Sequence, residues 1–214
     1  MSDHSKRVGH WLVDQPAQPR GALLLAHGAG AGMEHPFMSA MAHSLCQQSL
    51  LVVRFNFEYM ALIAATGKRR PPAKMPVLVA EFQHQLEAAA SHWPGLSWFI
   101  GGKSMGGRVA SMALNDCRAV AGVCIGYPFH PPKKYSDTRL QPLQDAEKAI
   151  LIIQGTRDAL GNQEEVSGYK LAASTQLLWL EDGDHDLKPR KKSGFSQQQH
   201  IVSAAQAIAQ FCLA

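Results

Sequence analysis

Six short apolar runs, spaced by segments of helical or loop character, set the tightest limit on how this chain can fold. They lie at residues 21–26, 50–55, 96–101, 119–125, 148–154 and 175–180. Each is too short for a buried helix and apolar on both faces, which is the signature of a strand inside a parallel sheet covered on both sides. Between them fall helix candidates at 36–48, 77–92, 107–114 and 162–173, and another follows at 196–211. In the second of these, Leu78, Phe82, Leu86 and Ala89 recur at helical spacing. A β/α alternation of this kind predicts a doubly wound, mostly parallel α/β sheet flanked by helices. Residues 8–13 add an antiparallel edge strand. The longest irregular stretches, 66–76 and 127–147, are too small for a lid domain. With 214 residues and 46% apolar content, the whole chain, 1–214, reads as one domain around a sizeable core.

The third run leads into Gly102-Lys103-Ser104-Met105-Gly106. A Gly-x-Ser-x-Gly string between a strand and a helix forces the serine onto a sharp, strained turn, with its hydroxyl raised above the sheet edge. Gly-Lys-Ser also ends the phosphate-binding loop Gly-x-x-x-x-Gly-Lys-Ser/Thr, but position 97 is serine and position 96 leucine, so the leading glycine is missing. The residues before it are strand-like where a phosphate loop is glycine-rich.

A nucleophilic serine needs a base, and the base needs an orienting carboxylate. In a doubly wound sheet these stand at the carboxyl ends of strands. After the run at 148–154 comes Gly155-Thr156-Arg157-Asp158, and after that at 175–180 comes Glu181-Asp182-Gly183-Asp184-His185-Asp186. Ser104, Asp158 and His185 thus fall at three strand ends in the chain order Ser, Asp, His. Asp137, Asp182, Asp184 and Asp186 are the rivals for the acid, and the last three are expected to shape the histidine's own loop. Acyl transfer also needs donors for a developing oxyanion. The backbone N–H of Met105 is one, and that of Ala29, in the His27-Gly28-Ala29-Gly30 turn, is the second. His27 is expected to fix this turn and to take no part in the chemistry.

Composition removes other classes. A net charge of +4 does not call for nucleic acid. The basic clusters Lys68-Arg69-Arg70 and Lys188-Pro189-Arg190-Lys191-Lys192 read as solvated loops, and at a cleft rim they would favour an anionic substrate. The N-terminus is polar, so no ordinary signal peptide is expected, and no run reaches a membrane-spanning length. Cys46, Cys117, Cys124 and Cys212 are scattered, as free thiols in a reducing cytoplasm would be, with no zinc or disulfide pattern. No metal or cofactor is required by the triad.

Several strings resemble those of α/β-hydrolases over nearly the whole chain. More narrowly, the chain resembles a small family of hydrolases, inferred from sequence, that includes the testis-expressed protein group and a chromatin-complex subunit. The strings are His27-Gly28-Ala29-Gly30 with His35-Pro36-Phe37-Met38, Arg54-Phe55-Asn56-Phe57-Glu58-Tyr59-Met60 and Gly101-Gly102-Lys103-Ser104-Met105-Gly106-Gly107-Arg108. Gly126-Tyr127-Pro128-Phe129-His130-Pro131-Pro132, Gln154-Gly155-Thr156-Arg157-Asp158 and Gly183-Asp184-His185-Asp186 complete them. The resemblance implies a compact, lidless α/β-hydrolase, similar in outline to dienelactone hydrolases, with Ser104, Asp158 and His185 as its triad. It supplies no substrate.

The loops after residues 50–55 and 119–125 are expected to bring Asn56, Phe57, Tyr59, Tyr127, Phe129 and His130 to the cleft as a substrate lining. The function read from these features is serine hydrolysis of a small-molecule ester or thioester. The alternative is a catalytically silent interaction module on the same fold, against which the intact triad argues. With no lid and no exposed apolar helix expected, an interfacial lipase is the least favoured variant.

Overall fold

The computed structural model describes residues 5–214. Residues 1–4, within the polar N-terminal stretch, lie outside the described residues. The strands are β1 (Lys6–Val8), β2 (Trp11–Asp14), β3 (Gly21–Ala26), β4 (Leu50–Phe55), β5 (Trp98–Lys103), β6 (Gly122–Ile125), β7 (Ile150–Gly155) and β8 (Thr175–Leu180). The α-helices are α1 (Pro36–Cys46), α2 (Glu58–Thr66), α3 (Met75–His92), α4 (Met105–Ala113), α5 (Gln141–Gln144), α6 (Gln163–Val166) and α7 (Gln197–Leu213). One sheet runs in the order β1-β2-β4-β3-β5-β6-β7-β8. The strands from β4 to β8 are parallel neighbours, and β2 joins β4 antiparallel with Leu12 opposite Arg54.

Side chains alternate across this sheet as a strand's two-residue period requires. Ala22, Leu24 and Ala26 of β3 face one core layer with Leu78, Phe82 and Leu86 of α3 and Val109, Ala110 and Ala113 of α4. Leu23 and Leu25 face the other, with Phe37 and Met41 of α1 and Ile201, Ala205 and Ile208 of α7. Both faces are therefore covered, which is why the strands are apolar throughout. Most polar groups in these layers are paired, although the Nε of Arg54 is buried without a partner. Arg54, fully buried on β4, makes a 2.9 Å ion pair with Asp14 of β2 and donates at 2.7 Å to the Met33 carbonyl.

Several elements depart from expectation for local reasons. The expected edge strand at 8–13 is a hairpin, β1–β2, turning at Gly9, whose φ of 58° suits glycine. The helix expected at 162–173 stops after one turn at Val166. Gly168 follows, and the Ala172 amide donates to the Leu143 carbonyl at 3.1 Å in place of a helical partner. In the run at 119–125 only Gly122–Ile125 is in the ladder, paired with β5 and β7. Residues 58–66, given no element in the sequence reading, form α2, and its Ala61, Leu62, Ala64 and Ala65 are exposed. The expectation that no apolar helix is exposed is thus corrected: α2 packs inward mainly through Tyr59 and Met60 and leaves its other apolar face to solvent.

Candidate active site

The turn after β5 is built by what glycine lacks. A Cβ on Gly102 would lie 2.4 Å from the Gly106 carbonyl carbon, and one on Gly106 would lie 2.6 Å from the carbonyl oxygens of Ala26 and His27. Both contacts are with backbone, so a side chain at Gly102 would force α4 off β5, and one at Gly106 would force it off the end of β3. Ser104 between them sits at φ 54°, ψ −116°, a strained conformation for a residue with a Cβ. It is the N-cap of α4, yet its hydroxyl makes no capping bond. The Oγ lies instead 2.9 Å from His185 Nε2.

His185 Nδ1 faces Asp158, 2.8 Å from Oδ2 and 3.0 Å from Oδ1. Asp158 is fully buried in the loop after β7. Its Oδ1 also accepts from the Leu160 amide at 2.8 Å, and its Oδ2 from Gln154 Nε2 at 2.8 Å. With Nδ1 donating to the carboxylate, Nε2 is the acceptor for the serine proton. The rival carboxylates are engaged elsewhere. Asp182 binds Arg157 and Arg190, and the Arg190 hydrogen bond, above all, holds its carboxyl down at about 2. Asp184 accepts from the Asp186 and Lys188 amides at 2.9 Å each, closing the turn that presents His185. Asp186 pairs with Lys103, and Asp137 is exposed.

The loops carrying acid and base are bonded to each other as well as to the sheet. The Arg157 amide donates to the Gly183 carbonyl at 2.9 Å, and the Asp182 amide to Thr156 Oγ1 at 2.8 Å. The loop after β3 is held in a similar way. His27 is buried, its Nδ1 2.7 Å from the Gly28 carbonyl and its Nε2 accepting from the Phe57 amide at 3.1 Å. Burial pulls its pKa down to about 4 against the opposing Gly28 bond, so this imidazole is neutral. Tyr59 donates from its hydroxyl to the Ala29 carbonyl at 3.0 Å, and Asn56 Oδ1 accepts from the Met33 amide at 2.8 Å. Burial, then Glu81, raises the Tyr59 phenol to about 12, which keeps it a donor. Gly28 stands against the serine: a Cβ there would be 3.6 Å from that of Ser104. The amide of Met105 opens α4, where the first N–H groups have no helical acceptor.

The expected substrate lining divides. Asn56 and Tyr59 reach the loop that carries Ala29, and there they hold backbone. Phe57, Tyr127, Phe129 and His130 are fully buried and offer no surface to a ligand. Tyr127 donates to the Arg139 carbonyl at 2.8 Å and packs edge-on to Phe129, while His130 Nε2 lies 3.2 Å from Glu165. Their loops fold back onto the sheet because burying an aromatic ring is worth more than displaying it.

The sequence reading did not single out Gln154, which ties Asp158 to its surroundings. Its Nε2 also donates to the carbonyls of Tyr127 at 3.2 Å and Gly161 at 3.1 Å, while its Oε1 accepts from the Tyr127 amide. The available signal was a lone amide ending the apolar run Ile150-Leu151-Ile152-Ile153. A shallow surface pocket of about 710 Å³ lies over the loop of the same acid, lined by Thr156, Arg157, Asn162 and Gln163 among others. Among the described residues, no group of three or more His, Cys, Asp or Glu side chains gathers as metal ligands do. No described helix is long and apolar enough to cross a membrane.

Residues 19–213 match the Alpha/beta hydrolase domain family. Solved structures share the fold at low identity. An α/β serine hydrolase homologue from Coxiella burnetii is 14% identical, with a TM-score of 0.72 over 99% of this chain and 98% of that one. A serine hydrolase without a lid, from Xanthomonas campestris, is 19% identical, with a TM-score of 0.69 over 95% and 89%. A dienelactone hydrolase from Anabaena variabilis is 20% identical, with a TM-score of 0.68 over 96% and 93%.

Proposed function

The chain belongs to the Alpha/beta hydrolase domain family, and from that premise we propose that it is a serine hydrolase cleaving a small ester or thioester through an acyl-enzyme on Ser104. The observation that carries the reading is the unbroken relay Ser104–His185–Asp158, with contacts of 2.9 and 2.8 Å. Ser104 Oγ bonds to the acyl carbon as its proton passes to His185 Nε2, and Asp158 stabilises the imidazolium. The carbonyl oxygen takes the negative charge and accepts from the Met105 and Ala29 amides. Collapse breaks the bond to the alkoxide or thiolate, which leaves with the proton from Nε2. Water then gives a proton to Nε2 and attacks the acyl-enzyme. The acid departs, and the proton returns to Ser104 Oγ.

A fold whose described residues form no separate lid domain supports a small acyl group, because little covers a long chain from water. The motifs around Ser104, Asp158 and His185 further support placing the protein with the lidless hydrolases that include the testis-expressed group. Four free cysteines fit a cytoplasmic setting. A panel of p-nitrophenyl and acyl-CoA esters tests the reading. Turnover by the wild type and its loss, by roughly 10⁴-fold or more, in Ser104→Ala supports it. Equal rates for the two proteins overturn it.

A further inference from the structure

Lys103 is the one charged side chain of the elbow motif, and the chemistry above leaves it unused. It ends β5, directly before Ser104, and is only 7% exposed. A buried ammonium is costly unless partnered. Its Nζ is 3.1 Å from Asp186 Oδ1 and 5.6 Å from the centroid of the Phe37 ring, at the start of α1. Asp186 follows His185 in the chain, so this ion pair ties the nucleophile's strand to the base's loop across the mouth of the site. A Cβ on Gly126 would lie 3.4 Å from Lys103 Nζ and 3.5 Å from His185 Cε1, which places ammonium and imidazole within about 7 Å of each other.

We infer that Lys103 is a positioning residue of this site: through Asp186 it fixes the loop that aims His185 at Ser104, and it sets a positive charge beside the imidazole. The inference rests on the serine-hydrolase reading. The groups facing the imidazole fit the role. Asp158 comes from the loop after β7, Asp184 and Asp186 from its own loop, and His35 caps α1 beside Asp186. Asp186, Asp158 and Asp184 all act on Lys103, which is the cation set among them. Burial draws the Lys103 pKa down while Asp186, Asp158 and Asp184 oppose the drop. Burial pushes the Asp186 carboxyl up, but Lys103, with His185 and His35, outweighs it and leaves the carboxyl below the usual range.

Two opposite charge changes test this. The rate of labelling by a fluorophosphonate is followed against pH in the full-length wild type, Ser104→Ala, Lys103→Met, Lys103→Arg and Asp186→Asn, each first checked for a native circular dichroism spectrum. Removing a positive charge at about 7 Å should move the acidic limb of the Lys103→Met profile up by roughly 0.5 to 1 pH unit, since protonation of the base becomes easier. Removing a negative one in Asp186→Asn should move it down. Both variants should label about 10-fold more slowly at their plateaus, because the loop is freed. Lys103→Arg should keep the limb where the wild type has it.

A Lys103→Met limb and plateau equal to the wild type's, or limbs moving the same way in both variants, overturns the inference. If Lys103→Met does not fold, Asp186→Asn decides: its side chain is 63% exposed, and an unmoved limb and plateau count against the inference. A wild type that is not labelled, or a Ser104→Ala that labels equally, sinks the hydrolase reading and this inference with it. A labelled wild type with Lys103→Met unchanged sinks this inference alone.

Discussion

Replacing Asp158 by asparagine removes one charge and leaves the number of non-hydrogen atoms unchanged, yet the site has no way to accept it. Every partner of the carboxylate is an N–H donor: the Leu160 amide, Gln154 Nε2 and His185 Nδ1. An asparagine has one acceptor oxygen and must aim its own NH₂ at one of the three. Aimed at His185, it draws the lone pair of Nδ1 and moves the ring proton to Nε2, which then cannot take the proton of Ser104. Turnover in that arrangement falls by about 10³- to 10⁴-fold, the cost of the wrong tautomer. Aimed at Gln154, it leaves Nε2 the Tyr127 and Gly161 carbonyls. Aimed at Leu160, it leaves that half-buried amide without its acceptor, at about 1–3 kcal/mol. For a chain of this length that lowers Tm by roughly 2 to 10 °C. Initial rates on p-nitrophenyl acetate and a thermal melt read the two effects separately. Asp182→Asn and Asp184→Asn are the controls, since their carboxylates serve Arg190 and the turn. Asp158→Asn within tenfold of wild type, with either control inactive, would refute the reasoning and move the acid into the His185 loop.

Gly106→Ala puts a Cβ 2.6 Å from two backbone oxygens, so the elbow must shift by several tenths of an ångström; turnover should fall about 10²-fold, measured as kcat on the same ester. His27 has a folded pKa of about 4 against 6.5 for the free side chain, so the unfolded chain binds the extra proton between these values. Its contribution to stability is whole above about pH 6.5 and lost as pH falls toward 4, and His27→Gln should flatten that part of a urea-midpoint profile. Asp182 behaves likewise at lower pH, with a folded value near 2: Asp182→Asn should melt below the wild type at pH 6, with the gap closing as pH falls through about 4 toward 2. Acetyl and butyryl esters should be hydrolysed faster than dodecanoyl esters in a chain-length series, because the described residues form no separate lid domain to shield a long acyl chain from water.

The sheet was legible because burial on both faces writes strands as apolar runs. Leu50–Phe55 and Thr175–Leu180 are strands over the spans read from sequence, and Ile150–Gly155 differs only at its ends. Ser104, Asp158 and His185 were legible because a doubly wound sheet places strand ends together, and the structure brings the three within hydrogen-bonding reach. What failed was the direction of side chains in loops. Tyr127, Phe129 and His130 have the composition of a binding wall, but nothing local says which way a loop folds, and packing turned them inward. Helix α2 was missed because its alanines and leucine lack the polar face that marks an amphipathic helix. Lys103 was passed over because its partner Asp186 is distant in sequence, and Gln154 because its role depends on how the loops of Tyr127 and Gly161 fold back on it.

The central claim, that Ser104 is a nucleophile activated by His185 and Asp158, is tested most directly by locating a covalent adduct. The full-length protein is treated with a fluorophosphonate, digested, and mapped by mass spectrometry. One modified residue, Ser104, is expected, with labelling lost in His185→Ala as well as in Ser104→Ala. An adduct on another residue, or labelling of Ser104 that survives the loss of His185 undiminished, would contradict it.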